Sequence, residues 1–181
     1  DGVKRGLVGE ILSRFEKRGL KIVALNMILA SKEEIDNHYP KDEAWIRRLG
    51  EKTLANYQQY GVDAKEKTGT DDPFEIGKMI RKWVVDYMTS GPIVKGVVSG
   101  VHAIDMVRKI CGNSLPNLAD MGTIRGDFSV DSAVSANLNK RSIRNIIHAS
   151  ENEREFNNEI ELWFKEKEIH DYKRAEEDIM F

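Results

Sequence analysis

"RGLVGEILSRFEKRGLKIVALNMILASKEEIDNHY" runs from Arg5 to Tyr39, and its three-part rhythm decides the fold class. Leu7, Val8, Ile11, Leu12 and Phe15 recur at helical spacing, and Gly19 follows as a stop. "KIVALNMIL" (Lys21–Leu29) then crowds isoleucine, valine and leucine into a short run, which reads as a strand. "SKEE" (Ser31–Glu34) is a capping-box pattern that opens a second helix. That helix should end near Tyr39, because Pro40 disfavours helical geometry at the residue before it.

Outward from this helix–strand–helix opening the pattern repeats after an interruption. From Lys41 to about Lys82 charges are dense, and Trp45, Ile46, Leu49, Leu54, Tyr57 and Tyr60 fall at roughly helical intervals. Two or three short helices are expected, broken by "TGTDDP" (Thr68–Pro73). "SGPIVKGVVSG" (Ser90–Gly100) reads as the next strand and "HAIDMVRKICG" (His102–Gly112) as the next helix. Asn113–Phe128 shows no clear period, and loops of that length are usually functional or disordered. "RNIIHA" (Arg144–Ala149) reads as a short strand and "EREFNNEIELWF" (Glu153–Phe164) as a helix. The polar tail from Lys165 should wrap the surface. Alternation of this kind predicts a layered sheet with helices packed on it.

Composition narrows the class. A chain of 181 residues with 32% charged and 40% hydrophobic residues supports a single globular domain with a proper core. With a formal net charge of -2 no global basic field argues for nucleic acid, though a small phosphate-binding patch would be invisible in that sum. No apolar run approaches the roughly 20 residues a membrane span needs. The single cysteine, Cys111, cannot form an internal disulfide and suits a reducing compartment. With no signal-like apolar segment, the expectation is a cytoplasmic protein.

The unusual residue is His148, which ends the apolar run "NII" two residues before Ser150. An imidazole serves as base, metal ligand or nucleophile. His38, His102 and His170 are far from it in sequence, and no His-x-x-x-His or Cys-x-x-Cys pattern offers partner ligands, so no protein-held metal is expected. No Gly-x-Ser-x-Gly elbow marks a serine hydrolase. On spacing alone, a histidine satisfied by a backbone carbonyl at a strand end stays open beside the functional readings. "MGTIRGDF" (Met121–Phe128) sets Arg125 among glycines and beside Thr123, and Arg108 lies one turn before Gly112. Glycines let a backbone approach an anion, and arginine's planar fork suits phosphate. Taken singly, each arginine is more often a solvated surface charge.

Together these stretches resemble the nucleoside diphosphate kinase family. "DGVKRGLVGEILSRFEKRGLKIVAL" is similar to its first helix and second strand, and "YMTSGPIVKGVVSG" to its central strand. "NSLPNLADMGTIRGDF" resembles the long loop near its nucleotide site, "RNIIHAS" its catalytic strand, and "EREFNNEIELWF" with "EIHDY" its last helix and tail. The likeness spans most of 1–39 and 83–172, with "GTIRGDF" and "NIIHAS" the most specific stretches. It implies a ferredoxin-like α+β fold, an antiparallel sheet with helices packed on it. It implies transfer of the γ-phosphate of a nucleoside triphosphate to a nucleoside diphosphate, by a ping-pong route through phosphohistidine. By the same match His148 is the nucleophile, Glu159 and Ser150 orient its ring, and Tyr39 lies near it. Arg108 and Arg125 bind phosphates, Ser114 keeps the hydroxyl of the family's threonine, and Asn145 contacts the ribose. Mg2+ would ride on the nucleotide phosphates rather than on a protein site. The family also implies a homo-oligomer, a tetramer or hexamer. A catalytically weak, nucleotide-binding homologue with a regulatory or scaffolding role is the alternative.

The sequence departs from the family in several places. A lysine and a first strand that precede Asp1 in the family are missing, and the reading is that the sequence begins part-way into the family's fold. The span 41–78 is about three times the family's length there and reads as a helical insertion, a lid or an oligomer contact. Ile80 falls where the family's base-stacking aromatic should be, with Tyr57, Tyr60 or Phe74 as substitutes or as the insertion's own core. "SVDSAVSANLNKRSI" (129–143) is a second, shorter insertion, read from its serines and asparagines as an exposed loop or added hairpin. Glu151 replaces the aspartate usual after "HAS".

Overall fold

A computed structural model describes residues 1–180, with the Met180 side chain outside that description. In chain order it holds α1 (Val8–Lys17), β1 (Lys21–Ile28), α2 (Lys32–His38), α3 (Glu43–Gln59), α4 (Ala64–Thr68), α5 (Pro73–Met88), β2 (Ile93–Ser99), α6 (Ala103–Cys111), α7 (Ile124–Phe128), α8 (Ala133–Leu138), α9 (Glu153–Trp163) and α10 (Glu177–Met180). Single 3-10 turns lie at Pro116–Leu118 and Glu166–Glu168. The chain gathers into two compact units, and each is described by itself.

The first unit comprises Asp1–Leu29, Pro92–Ser129 and the chain from Asn145 onward. β1 and β2 pair antiparallel, with Lys21 opposite Ser99 and Ile28 opposite Ile93. A bulge falls between Ile22 and Ala24, leaving Val23 as the extra residue. An extra residue breaks strict alternation, so Val23 and Ala24 are both buried, against Phe156 and Ile160 of α9 and against Phe164 and Ile169. A second cluster centres on Phe15, Leu20, Cys111 and Ile124, with the apolar face of α6, Ile146, Ile147 and Ala149 packed on it. The tail lies along β1: the His170 N–H donates to the Val23 carbonyl at 2.8 Å and the Tyr172 hydroxyl to the Ile22 carbonyl at 2.8 Å. The expected α+β arrangement, an antiparallel sheet under helices, is what forms.

The second unit comprises Ala30–Gly91 and Val130–Arg144. It contains the stretches read as insertions, all but Ser129, together with α2 and the rest of α5. The capping box is formed: the Glu34 N–H donates to Ser31 Oγ at 3.1 Å, and the Ser31 N–H to Glu34 Oε2 at 2.8 Å. α3 and α5 cross closely because glycine stands at both contacts. A Cβ on Gly50 would lie 1.7 Å from the Pro73 carbonyl oxygen, and one on Gly77 would lie 1.9 Å from that of Ile46. α8 also packs on α3.

Three local expectations are corrected. Residues 129–143 are not an exposed loop: Ser132 caps α8 by accepting from the Ser135 N–H at 3.2 Å, and Ala136 and Asn137 are buried. Asn113–Phe128 is not structureless, since it holds the 3-10 turn and α7; both pieces are too short for a helical period to show. Arg144–Ala149 is not a strand. Side-chain groups, not a neighbouring strand, take the polar backbone atoms at its centre.

Candidate active site

β2 runs into α6, whose last turn carries Arg108 on an exposed face and ends at Gly112. Gly112 has φ 79°, and a Cβ there would lie 2.3 Å from Thr123 Oγ1, so only glycine lets the chain fold back over α7. Thr123 caps α7 by accepting from the Gly126 N–H at 3.1 Å and donates its own hydroxyl to the Asp120 carbonyl at 2.6 Å. Asp127 accepts from the Gly122 N–H at 2.7 Å and pairs with Arg14 at 2.7 Å. The loop is therefore a built scaffold, and what it aims is Arg125.

Arg125 is only 7% exposed. Its Nη1 donates to the Gly112 carbonyl at 2.7 Å, its Nη2 to the Ile147 carbonyl at 2.6 Å, and its Nε to the Asn145 carbonyl at 3.2 Å. Burial, and then the charge of nearby Arg108, holds its pKa below the ordinary arginine value. The same burial raises the Cys111 thiol to about 11, so Cys111 stays neutral and is no thiolate nucleophile.

The segment held by Arg125 leads into His148. Asn145 Nδ2 donates to the Ser114 carbonyl at 3.3 Å. His148 is exposed, with 39% of its side chain accessible, whereas Glu159 on α9 is at 14%. His148 Nε2 lies 2.8 Å from Glu159 Oε1, and the Ser150 hydroxyl donates to Glu159 Oε2 at 2.5 Å. One carboxylate thus grips the ring and a hydroxyl two residues on. A hydrogen bond from Nε2–H to a carboxylate selects the tautomer whose nucleophilic lone pair sits on Nδ1. The carboxylate also stabilises positive charge arising on the ring.

Of the residues singled out from the sequence, the first unit brings together His148, Ser150, Glu159, Asn145, Ser114 and Arg125, with Arg108 close enough to act on Arg125. Ser114 contributes a carbonyl here rather than its hydroxyl. Tyr39 belongs to the second unit, where it ends α2 edge-on to His38, ring centroids 4.7 Å apart, and 6.3 Å from Trp45. Sequence reasoning passed over Ile146, whose φ is 72°, and Asp1, whose carboxylate accepts from the Ile146 N–H at 3.2 Å. No local signal could have found a contact between residues 1 and 146.

Comparison with known proteins extends this picture. The family model described as "Nucleoside diphosphate kinase" matches residues 1–46 and 75–169, leaving 47–74 unmatched. A nucleoside diphosphate kinase of Pyrobaculum aerophilum is 52% identical over 169 residues, covering 93% of this chain and 92% of the relative. A crystal structure of an NDP kinase from that organism superposes with a TM-score of 0.91 at 49% identity, covering 94% of both chains. A nucleoside-diphosphate kinase from Borrelia burgdorferi, described as a transition state mimic with bound vanadate and ADP, gives a TM-score of 0.75 at 36% identity, covering 98% of this chain and 89% of that one.

Proposed function

The chain belongs to the nucleoside diphosphate kinase family and is a nucleotide phosphotransferase of the ferredoxin-like α+β class, and from that premise we propose that it works through a phosphohistidine on His148. The observation that carries this is the Glu159 carboxylate shared between His148 Nε2 and the Ser150 hydroxyl. In the first half-reaction the Nδ1 lone pair attacks the γ-phosphorus of a nucleoside triphosphate. The P–N bond forms as the bond to the β-phosphate oxygen breaks, and the nucleoside diphosphate leaves with that electron pair. The proton stays on Nε2, where Glu159 balances the charge gained by the ring. In the second half an incoming diphosphate oxygen attacks the same phosphorus, the P–N bond breaks, and its electrons return to Nδ1. The first half trades a phosphoanhydride bond for a P–N bond and the second trades it back, so together they exchange one phosphoanhydride for another and one nitrogen can accept and return the same phosphoryl. Positioning and charge neutralisation supply the acceleration.

Arg108 is the exposed guanidinium and the candidate for the phosphate oxygens; Asn145 is the candidate for the ribose and Ser114 for a phosphate oxygen. Arg125, paired with Arg108 in the resemblance, is the second candidate for the phosphate oxygens. The donor set fits magnesium carried by the nucleotide rather than by the protein: beside the guanidinium groups, the Glu159 carboxylate is already engaged by His148 and Ser150, which is no oxygen cage for a hard dication. Bound to the phosphates, the ion would draw off their negative charge. The vanadate and ADP of the Borrelia burgdorferi relative support the same chemistry, since vanadate stands in for phosphorus in flight. Cytoplasmic residence and a closed homo-oligomer, tetramer or hexamer, complete the reading, and sedimentation velocity tests the assembly.

Incubation with ATP labelled at the γ-phosphate tests the mechanism. The protein should take up acid-labile label and give it to an added diphosphate, and His148→Ala should do neither. Uptake that persists in His148→Ala, or none in the native protein, rejects the phosphohistidine.

A further inference from the structure

His148 sits on a stretch that no regular element directs: residues 147–150 belong to neither helix nor strand. The chain then reaches α9 after only Glu151 and the capping Asn152. α9 itself is seated on the sheet, where Phe156 and Ile160 pack against the buried Val23, Ala24 and Val97. It carries two carboxylates four residues apart, Glu155 and Glu159, and that spacing makes them neighbours on one helix face. The two are used in order. Glu159 takes the His148 ring at 2.8 Å and the Ser150 hydroxyl at 2.5 Å. One turn nearer the start of the helix, the half-buried Glu155 accepts the N–H of Glu151, the next residue along. The Glu155 N–H in turn donates to Asn152 Oδ1 at 3.0 Å. The segment therefore runs back along α9 and is fastened at successive turns, ring and hydroxyl to one carboxylate and backbone to the other.

We infer that Glu155 is a positioning residue: by accepting the Glu151 N–H it fastens the chain just beyond Ser150 to α9, and so fixes the angle at which the His148 ring meets Glu159. The inference rests on His148 being the nucleophile. Glu159 holds the ring and the hydroxyl through rotatable side-chain bonds, so on its own it leaves the segment free to pivot. Glu155 holds backbone, and two attachments a turn apart set a direction where one does not. Without it the segment swings about the Glu159 carboxylate, the selection of one ring tautomer weakens, and the Nδ1 lone pair spends less time aimed at phosphorus. The task needs an acceptor oxygen and not a charge, which separates Glu155 from Glu159. An acid that merely stabilised the first turn of α9 through the helix dipole would depend on the charge instead.

The test uses the whole chain. Glu155→Ala should slow single-turnover phosphorylation by saturating ATP by about 10- to 100-fold, the order of loss that small misplacement causes. Its Kd for ADP should move by no more than about threefold. Glu155→Gln keeps an oxygen for the same N–H and should stay within about threefold of the native rate. Asn152→Ala removes the other half of the cap but leaves the Glu151 contact in place. It should lower the melting temperature about as far as Glu155→Ala does, yet keep the rate within about threefold. If Glu155→Ala does not fold, Glu155→Met, which keeps the length of the side chain, takes its place with the same expected loss; if neither folds, the role is structural and the inference falls. A long-range 1H–15N spectrum of the neutral His148 ring gives a readout without turnover. The native protein and Glu155→Gln should show the Nε2–H tautomer, and Glu155→Ala a mixture. A native rate in Glu155→Ala overturns the inference. So does a Glu155→Gln or an Asn152→Ala as slow as Glu155→Ala, or a ring spectrum that Glu155→Ala leaves unchanged. A native protein that takes no label rejects the phosphohistidine alone, while the ring spectrum still decides the tether.

Discussion

Glu159 holds two partners, one on each oxygen, and its worth lies in its charge. Glu159→Gln keeps the size of the side chain and can still accept a hydrogen bond at one atom. It loses the negative charge opposite the imidazole, and its amide cannot accept from both the ring and Ser150. The expected result is a fall in kcat on the order of 10²- to 10⁴-fold with KM for the nucleotide within a few-fold, read from steady-state kinetics. His148 stood out because an ionisable ring closing an apolar run is conspicuous, but spacing alone left a satisfied strand-end histidine open and only the resemblance gave it a role. Arg125 was legible as a candidate functional arginine among glycines, but its three acceptors were not, because they are backbone carbonyls and carbonyls leave no mark in a sequence.

Among the elements, α3 and α5 depend on glycine in a way a helix-propensity scale would misjudge. Gly77→Ala should raise helix propensity by about 1 kcal/mol, yet its Cβ meets the Ile46 carbonyl oxygen at 1.9 Å and the two helices must separate. A net loss of about 2 kcal/mol or more is expected in urea denaturation. Gly9→Ala in α1 is the control: nothing lies within 4 Å of its Cβ, so the same substitution should stabilise by up to about 1 kcal/mol. Helix starts were readable where caps were explicit, as at Ser31. α8 was misread because Ser132, a cap, looks like loop composition, and because the helix is only 6 residues long. Its apolar contacts lie on α3, far away in the chain. Arg144–Ala149 was misread for a different reason. An apolar run predicts burial, and Ile146 and Ile147 are packed in the core; burial does not say which groups will take the backbone hydrogen bonds.

For the molecule as a whole, stability should be lost at both ends of the pH scale, with opposite signs. Hydrogen bonds from Lys41 and Arg81 hold the Asp36 carboxyl below its ordinary 3.8. The Gly122 N–H and Arg14 do the same for Asp127. Burial alone would raise Asp131, but Arg141 and the N–H groups of Arg144 and Ser132 hold it down. Groups depressed in the folded state stabilise above their unfolded pKa and lose that contribution as pH falls through the folded value, so melting temperature should drop below about pH 4. Burial raises Cys111 to about 11 and Tyr87 to about 12. Their contribution is intact below the unfolded values and is lost as pH rises through the folded ones, so a second fall should begin above about pH 9. Cys111→Ala should flatten the part of that fall between about pH 9 and 11, as followed by melting temperature against pH. By itself the sequence determined the helix–strand–helix opening and singled out the imidazole that ends "NII", while the antiparallel pairing and that ring's proposed role came with the resemblance to the family. The opening depends on periodicity, caps and residue chemistry, all of which are local. Only the tertiary structure decided that Arg125 faces carbonyls and that Asp1 reaches Ile146. It alone decided that a serine-rich stretch becomes a part-buried helix, and that two glycines set the approach of α3 to α5. Each of these is a contact between residues distant in the chain, and such a contact exists only once the backbone has closed around it.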